Sequence, residues 1–151
     1  NVASKCGLTP QYEALEKIYE LYHEKGFEVL GFPANEFEGQ EPGTNAEIQE
    51  FCRMNFGVKF PMFQKISVKG PAQHSLYQFL TTTFPDAQKP NGPSFEEKLN
   101  GYGLKRENKI DILWNFEKFL IDKSGQIIAR FSPDMTPNDP IIIKSIEAAL
   151  K

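Results

Sequence analysis

Cys6 and Cys52 are the side chains in this chain most able to do covalent chemistry. They stand too far apart for a CxxC redox pair. Two thiols without clustered histidines also make neither a four-ligand zinc site nor a disulfide-framework scaffold. What remains is thiol chemistry or plain burial. Cys6 lies three residues before Thr9, the expected N-cap of a helix with Pro10 at its first position. The N–H groups of that helix start, and its macrodipole, can stabilise a thiolate there, and Lys5 adds a positive charge beside it. A thiolate so placed attacks electrophiles at neutral pH, where an ordinary thiol is mostly protonated. On position alone, a small residue closing a strand-to-helix turn accounts for Cys6 equally well. His23 and His74 have no metal-like partners in the sequence around them and read as packing or surface residues, so no metal site is expected. No glycine-rich phosphate loop is present, and no cofactor is expected.

The elements that must position these residues are legible from periodicity. Tyr12, Leu15, Ile18, Tyr19 and Tyr22 form a helical stripe after Thr9-Pro10, ending at Gly26. Phe27 to Phe32 reads as a short buried strand that stops at Pro33 and runs into a loop over residues 34–43, a common place for a site. Thr44 with Glu47 is a capping box opening a helix through about Phe56, with Cys52 on it. Residues 72–82 read as a third helix. Residues 85–109, rich in Pro, Gly, Asn and Lys, read as a long insertion with one short helix. Trp114 to Asp122 and Gln126 to Phe131 read as a hairpin around Lys123-Ser124-Gly125. Asp139-Pro140 opens a last helix with Ile142, Ile143, Ile146 and Leu150 facing inward. This order predicts one α/β domain over residues 1–151, with a mixed sheet and the thioredoxin pattern.

Composition narrows the function classes. The 151 residues are 40% hydrophobic, enough for a single core, with no internal repeat. A net charge of −3 with scattered lysines and arginines offers no field for nucleic acid or anionic lipid. The apolar runs are only a few residues long, far short of a membrane span. Asn1-Val2-Ala3-Ser4 reads as the end of an apolar element, so strands preceding it are expected to be missing from this chain.

Four separately placed segments then carry a resemblance. Residues 1–9 (NVASKCGLT), residues 31–42 (GFPANEFEGQEP), Phe60-Pro61-Met62-Phe63 and Trp114-Asn115-Phe116 together resemble the glutathione peroxidase family across essentially the whole chain. The resemblance implies a thioredoxin-like fold, a central mixed sheet flanked by helices and a first strand preceding Asn1. It also implies reduction of hydrogen peroxide or organic hydroperoxides by a thiol, in the response to oxidative stress. By the same resemblance Cys6 is the peroxidatic residue, and Trp114 and Asn115 furnish hydrogen-bond donors around its sulfur, which their indole N–H and amide NH₂ can do. Without it, Trp114 is a core aromatic opening a strand and Asn115 a strand-edge hydrogen bonder. The family's fourth catalytic position usually holds Gln, and this chain has Glu36 in Asn35-Glu36-Phe37. A carboxylate accepts where an amide donates and repels a thiolate, so Glu36 stands either as a modified catalytic residue or as a solvated loop carboxylate. Cys52 falls close to the resolving cysteine of thioredoxin-using members, a pairing that requires its helix to unwind or move. A buried, incidental cysteine is the other reading.

The expected reaction is therefore a peroxidase cycle recycled by thioredoxin or glutathione. The other class is a thioredoxin-like redox-sensing or binding domain without efficient turnover, and peroxide consumption separates the two. The expected compartment is the cytoplasm, with a periplasmic or secreted location left open by the N-terminus.

Overall fold

A computed structural model describes residues 1–151. Helix α1 (Gln11–Tyr22) buries Tyr12, Leu15, Ile18 and Tyr22, the stripe expected from spacing, and passes through a 3-10 turn (His23–Lys25) to Gly26 at φ 100°. The helix begins one residue later than its sequence signals suggest. Thr9 does not cap it, because the Thr9 hydroxyl is used to hold the loop that carries Cys6. Thr44 does cap α2 (Asn45–Phe56): its side chain accepts the Glu47 N–H, and Gly57 at φ 59° closes the far end. Helix α3 (Ser75–Thr83) is capped by His74, whose Nδ1 accepts the Leu76 N–H at 3.1 Å. Helix α4 (Phe95–Gly101), capped by Ser94, is the one short helix of residues 85–109. Helix α5 (Pro140–Leu150) has Asp139 as cap and Pro140 in its first turn, and buries Ile142 and Ile146.

The hairpin pairs β1 (Lys118–Ile121) with β2 (Ile127–Phe131) antiparallel, Lys118 opposite Phe131. Its turn is held by Asp122, whose Oδ1 accepts from Ser124 N–H, Ser124 hydroxyl and Gln126 N–H, and these bonds depress the Asp122 pKa. The expected strand from Trp114 starts only at Lys118, since Phe116 adopts φ 68° and turns the chain. Extended segments lie alongside. Val2 bridges Pro33 and Gly31 bridges Met62, both parallel, while the Phe116 N–H donates to Asn1 O at 2.7 Å. A Cβ at Gly31 would meet the Met62 sulfur, so a larger residue at this crossing would require the Met62 side chain to move. Gln88 bridges Phe131 on the far side of the hairpin.

The expected strand over Phe27–Phe32 is thus reduced to a bridge at Gly31, where a neighbour exists to pair with. Between residues 27–32 and β1 lies an apolar groove of about 450 Å³, lined among others by Leu15, Ile18, Phe27, Phe60 and Leu120. The core gathers α1, α2, α3, α5 and the hairpin around Tyr12, Phe37, Phe116, Phe131 and Met135. No helix is long and apolar enough to cross a membrane.

Candidate active site

The loop before α1 places Cys6 by three hydrogen bonds that use neighbouring residues. Thr9 Oγ1 accepts the Cys6 N–H at 3.0 Å and donates to Ala3 O at 2.8 Å, and the Thr9 N–H donates to Cys6 O at 3.0 Å. This closed turn aims the Leu8 N–H at the Cys6 sulfur, 3.3 Å away. The donor comes from the entry of α1, and Cys6 is 9% exposed.

A second loop packs against the first. The Lys5 N–H donates to Gln40 O at 3.0 Å, which ties the residue before Cys6 to residues 35–42. The Gln40 side chain then reaches the third contributor: Asn115 Nδ2 donates to Gln40 Oε1 at 2.9 Å. Asn115 is fully buried, and its own Oδ1 has no hydrogen-bond partner. Trp114, 9% exposed, packs at a tilt on Phe37 of the same loop, ring centroids 5.4 Å apart. Cys6, Trp114 and Asn115 are thus carried by segments in direct contact through Gln40 and Phe37.

Glu36 is turned elsewhere. Its Oε1 accepts the Val68 N–H and its Oε2 the Asn35 N–H at 3.3 Å, so both carboxylate oxygens already have backbone donors. The residue of the 31–42 segment that touches Asn115 is Gln40, which sequence reasoning passes over. It sits inside the quoted motif, but nothing in its type or spacing sets it apart from the surrounding polar loop.

Another group that sequence reasoning misses holds the Trp114-Asn115 turn from beneath. Glu117 Oε1 accepts the Leu113 N–H at 2.9 Å and its Oε2 accepts Arg130 Nε at 2.6 Å, with both side chains 1% exposed. The remaining guanidinium nitrogens donate to Phe84 O, Pro85 O, Ile110 O and Asp111 O. One buried arginine therefore joins the hairpin to both ends of the 85–109 segment. The available signal is weak: Glu117 and Arg130 fall inside strand-like runs, but a turn separates them in sequence and nothing there pairs them.

Cys52 lies in α2, 1% exposed, and both cysteines are free thiols in one core. Burial pushes the Cys52 thiol up, the neighbouring Tyr12 hydroxyl opposes this, and the nearby Glu41 carboxylate adds to it. Glu41 is itself buried, with its pKa raised by burial against the smaller opposing influence of Ser4, Lys65 and Lys5. His23 lies exposed near Glu28, and His74 serves as a helix cap; neither approaches the cysteines through any hydrogen bond or ion pair.

Residues 1–81 match the family described as glutathione peroxidase. The thioredoxin/glutathione peroxidase BtuE of Escherichia coli is 53% identical over 150 residues, covering 99% of this chain and 82% of that protein. A glutathione peroxidase of Lactococcus lactis is 49% identical over 139 residues, covering 92% of this chain and 76% of that protein. The crystal structure of T. cruzi GPX1 superposes with a TM-score of 0.64 at 34% identity, covering 99% of this chain and 78% of that one.

Proposed function

This chain belongs to the glutathione peroxidase family, and from that premise we propose that its thiol peroxidase activity runs through Cys6 as nucleophile and Cys52 as resolving thiol. The family membership makes the protein a peroxidase oxidoreductase of thioredoxin-like fold that reduces hydroperoxides at the expense of a thiol. The observation that carries the residue assignment is the Leu8 N–H aimed at Cys6 Sγ, beside a loop that presents Asn115 and Trp114.

In the first step the Cys6 thiolate attacks the outer peroxide oxygen. A new S–O bond forms as the O–O bond breaks, leaving a sulfenic acid and an alkoxide or hydroxide that takes up a proton from water to leave as alcohol or water. The Leu8 N–H holds the anion before attack, and the Asn115 NH₂ and Trp114 indole N–H favour the oxygen on which negative charge develops. In the second step the Cys52 thiol attacks the sulfenic sulfur, the S–O bond breaks, and water leaves with the thiol proton as the Cys6–Cys52 disulfide forms. Cys52 is sealed in α2, so this step requires local unwinding of that helix. An external dithiol of the thioredoxin type then reduces the disulfide, returning both thiols. Glutathione, which reacts with the sulfenic acid directly, is the second reductant that the names of the relatives support.

Mass spectrometry of the protein after one equivalent of peroxide tests this reading. The parent is expected to hold a Cys6–Cys52 disulfide, and Cys52→Ser to hold sulfenic acid on Cys6, which a second equivalent of peroxide then carries to sulfinic acid. Overoxidised Cys6 beside a free Cys52 in the parent protein would remove Cys52 from the cycle.

A further inference from the structure

We infer that Glu41 is the proton acceptor for the Cys52 thiol in the resolving step; this rests on the assignment of Cys6 and Cys52 above. The starting point is a cluster of buried polar groups that the fold leaves without partners. Glu41 is 1% exposed, and neither of its carboxylate oxygens has a hydrogen-bond partner within the chain. The Tyr12 and Ser4 hydroxyls are buried and unpartnered in the same way. An unpaired buried carboxylate costs stability, so a purely structural role does not account for it. Three elements meet at this carboxylate: the Cys6 loop through Ser4, α1 through Tyr12 and α2 through Cys52. Glu41 therefore borders both the loop that carries one thiol and the helix that carries the other.

The main chain keeps Glu41 on the Cys6 side of that junction. Its N–H donates to Asn35 Oδ1 at 2.9 Å, its carbonyl accepts from Lys65 Nζ at 2.8 Å, and the preceding carbonyl of Gln40 accepts the Lys5 N–H at 3.0 Å. None of these bonds involves α2, so the carboxylate stays beside the Cys6 loop when that helix opens. The cations facing it are Lys65 and Lys5, and Ser4 also favours its anion, yet burial outweighs all three and raises its pKa. Burial raises the Cys52 thiol as well. A carboxylate held above its usual range is the better matched base for a reluctant thiol. In the step itself Glu41 takes the thiol proton, and the Cys52 sulfur lone pair forms the S–S bond as the Cys6 S–O bond breaks. The departing hydroxide recovers the proton from Glu41 and leaves as water. The Cys52 sulfur is oxidised, the Cys6 sulfur is reduced, and Glu41 ends as it began.

The test is the pH dependence of the second step, measured apart from the first. The reduced protein is mixed with one equivalent of hydrogen peroxide, quenched at intervals with acid and weighed by mass spectrometry, since sulfenic acid adds an oxygen and the disulfide removes two hydrogens. In the parent, the rate of disulfide formation is expected to rise through an inflection where Glu41 ionises, below that of the Cys52 thiol. Glu41→Gln, which keeps the shape and removes the base, is expected to lose that inflection. Its disulfide should form about tenfold or more slowly at pH 7, the rate climbing only as the thiol itself ionises. Glu41→Asp is expected to keep the inflection. Loosened packing would change the rate without removing the inflection, so the profile separates proton transfer from general damage. An unchanged profile in Glu41→Gln, or a slow one that keeps the inflection, would overturn the proposal, as would Glu41→Asp behaving like Glu41→Gln. A parent that forms no Cys6–Cys52 disulfide at any pH would bring down the assignment of Cys52, and this proposal with it.

Discussion

Removing either partner of the Glu117–Arg130 pair should destabilise the protein by amounts that the hydrogen-bond pattern ranks in advance. Both side chains are 1% exposed, so a lone survivor has no access to water. Glu117→Ala leaves the guanidinium with four carbonyl acceptors but no counter-charge, and strands the Leu113 N–H. Breaking a buried pair in this way costs about 3–5 kcal/mol. At about 2–4 °C per kcal/mol for a chain of this size, the melting temperature should fall by roughly 6–20 °C. Arg130→Met should cost more, because it strands a buried carboxylate and four carbonyls belonging to residues 84, 85, 110 and 111 at once. The double variant Glu117→Leu with Arg130→Met should cost at least about 2 kcal/mol less than the sum of the two singles, since no buried charge is left over. Equilibrium unfolding in guanidinium chloride at low temperature measures all three. Losses below about 1 kcal/mol in the single variants, or strict additivity in the double, would refute the reasoning.

Three other outcomes follow from the same geometry. Thr9→Ala removes the acceptor of the Cys6 N–H and the donor to Ala3 O, so it should cost about 1–3 kcal/mol of stability and slow the peroxide reaction several-fold, with Thr9→Ser largely restoring both; equal rates in all three proteins would free Cys6 from this loop bond. Glu36→Gln should change the peroxide rate by less than about twofold across pH, because the carboxylate faces backbone N–H groups; a tenfold acceleration would place its charge at the sulfur instead. Burial holds Lys118 down to about 7, against the opposing pull of Glu117 and Asp134. Above pH 7 the unfolded chain therefore binds a proton at Lys118 that the folded protein does not, so stability should rise with pH toward about 9. Beyond that the buried Cys52 thiol, whose pKa is raised, offsets the gain, and the raised Tyr12 and Tyr77 hydroxyls turn it into a fall. Unfolding free energies against pH should show this rise in the parent and its loss between about pH 8 and 9 in Lys118→Met; a parent already flat there would contradict the assignment.

The helices are legible because their signals are local: the stripe of α1, the Thr44 cap of α2 and the Asp139-Pro140 start of α5 each lie within a few residues of what they specify. The sheet is less so. Phe27–Phe32 has strand composition, but a ladder needs a neighbour, and pairing appears only where residues 1–3 and 61–63 run alongside. Trp114 and Asn115 read as the beginning of a strand, yet Phe116 at φ 68° makes them part of a turn, a conformation that no residue type in that stretch announces. In the site, Cys6 can be found by chemistry and position, while Trp114, Asn115 and Glu36 emerge only through the family resemblance. Gln40, Glu117 and Arg130 act through contacts with residues distant in sequence, so nothing in their immediate neighbourhood marks them. Thr9 stands out in the sequence as a helix cap, but the fold spends its hydroxyl on the Cys6 loop instead.

The central claim is that Cys6 is the nucleophile, and steady-state peroxide consumption by Cys6→Ser, measured beside the parent with thioredoxin and with glutathione as reductants, tests it most directly. A hydroxyl at this position has no accessible anion at neutral pH, so turnover should fall at least about a thousandfold with either reductant while the thermal unfolding profile stays near that of the parent. Turnover surviving at about a tenth of the parental rate would contradict the account, because it would mean that some other group in the protein breaks the O–O bond.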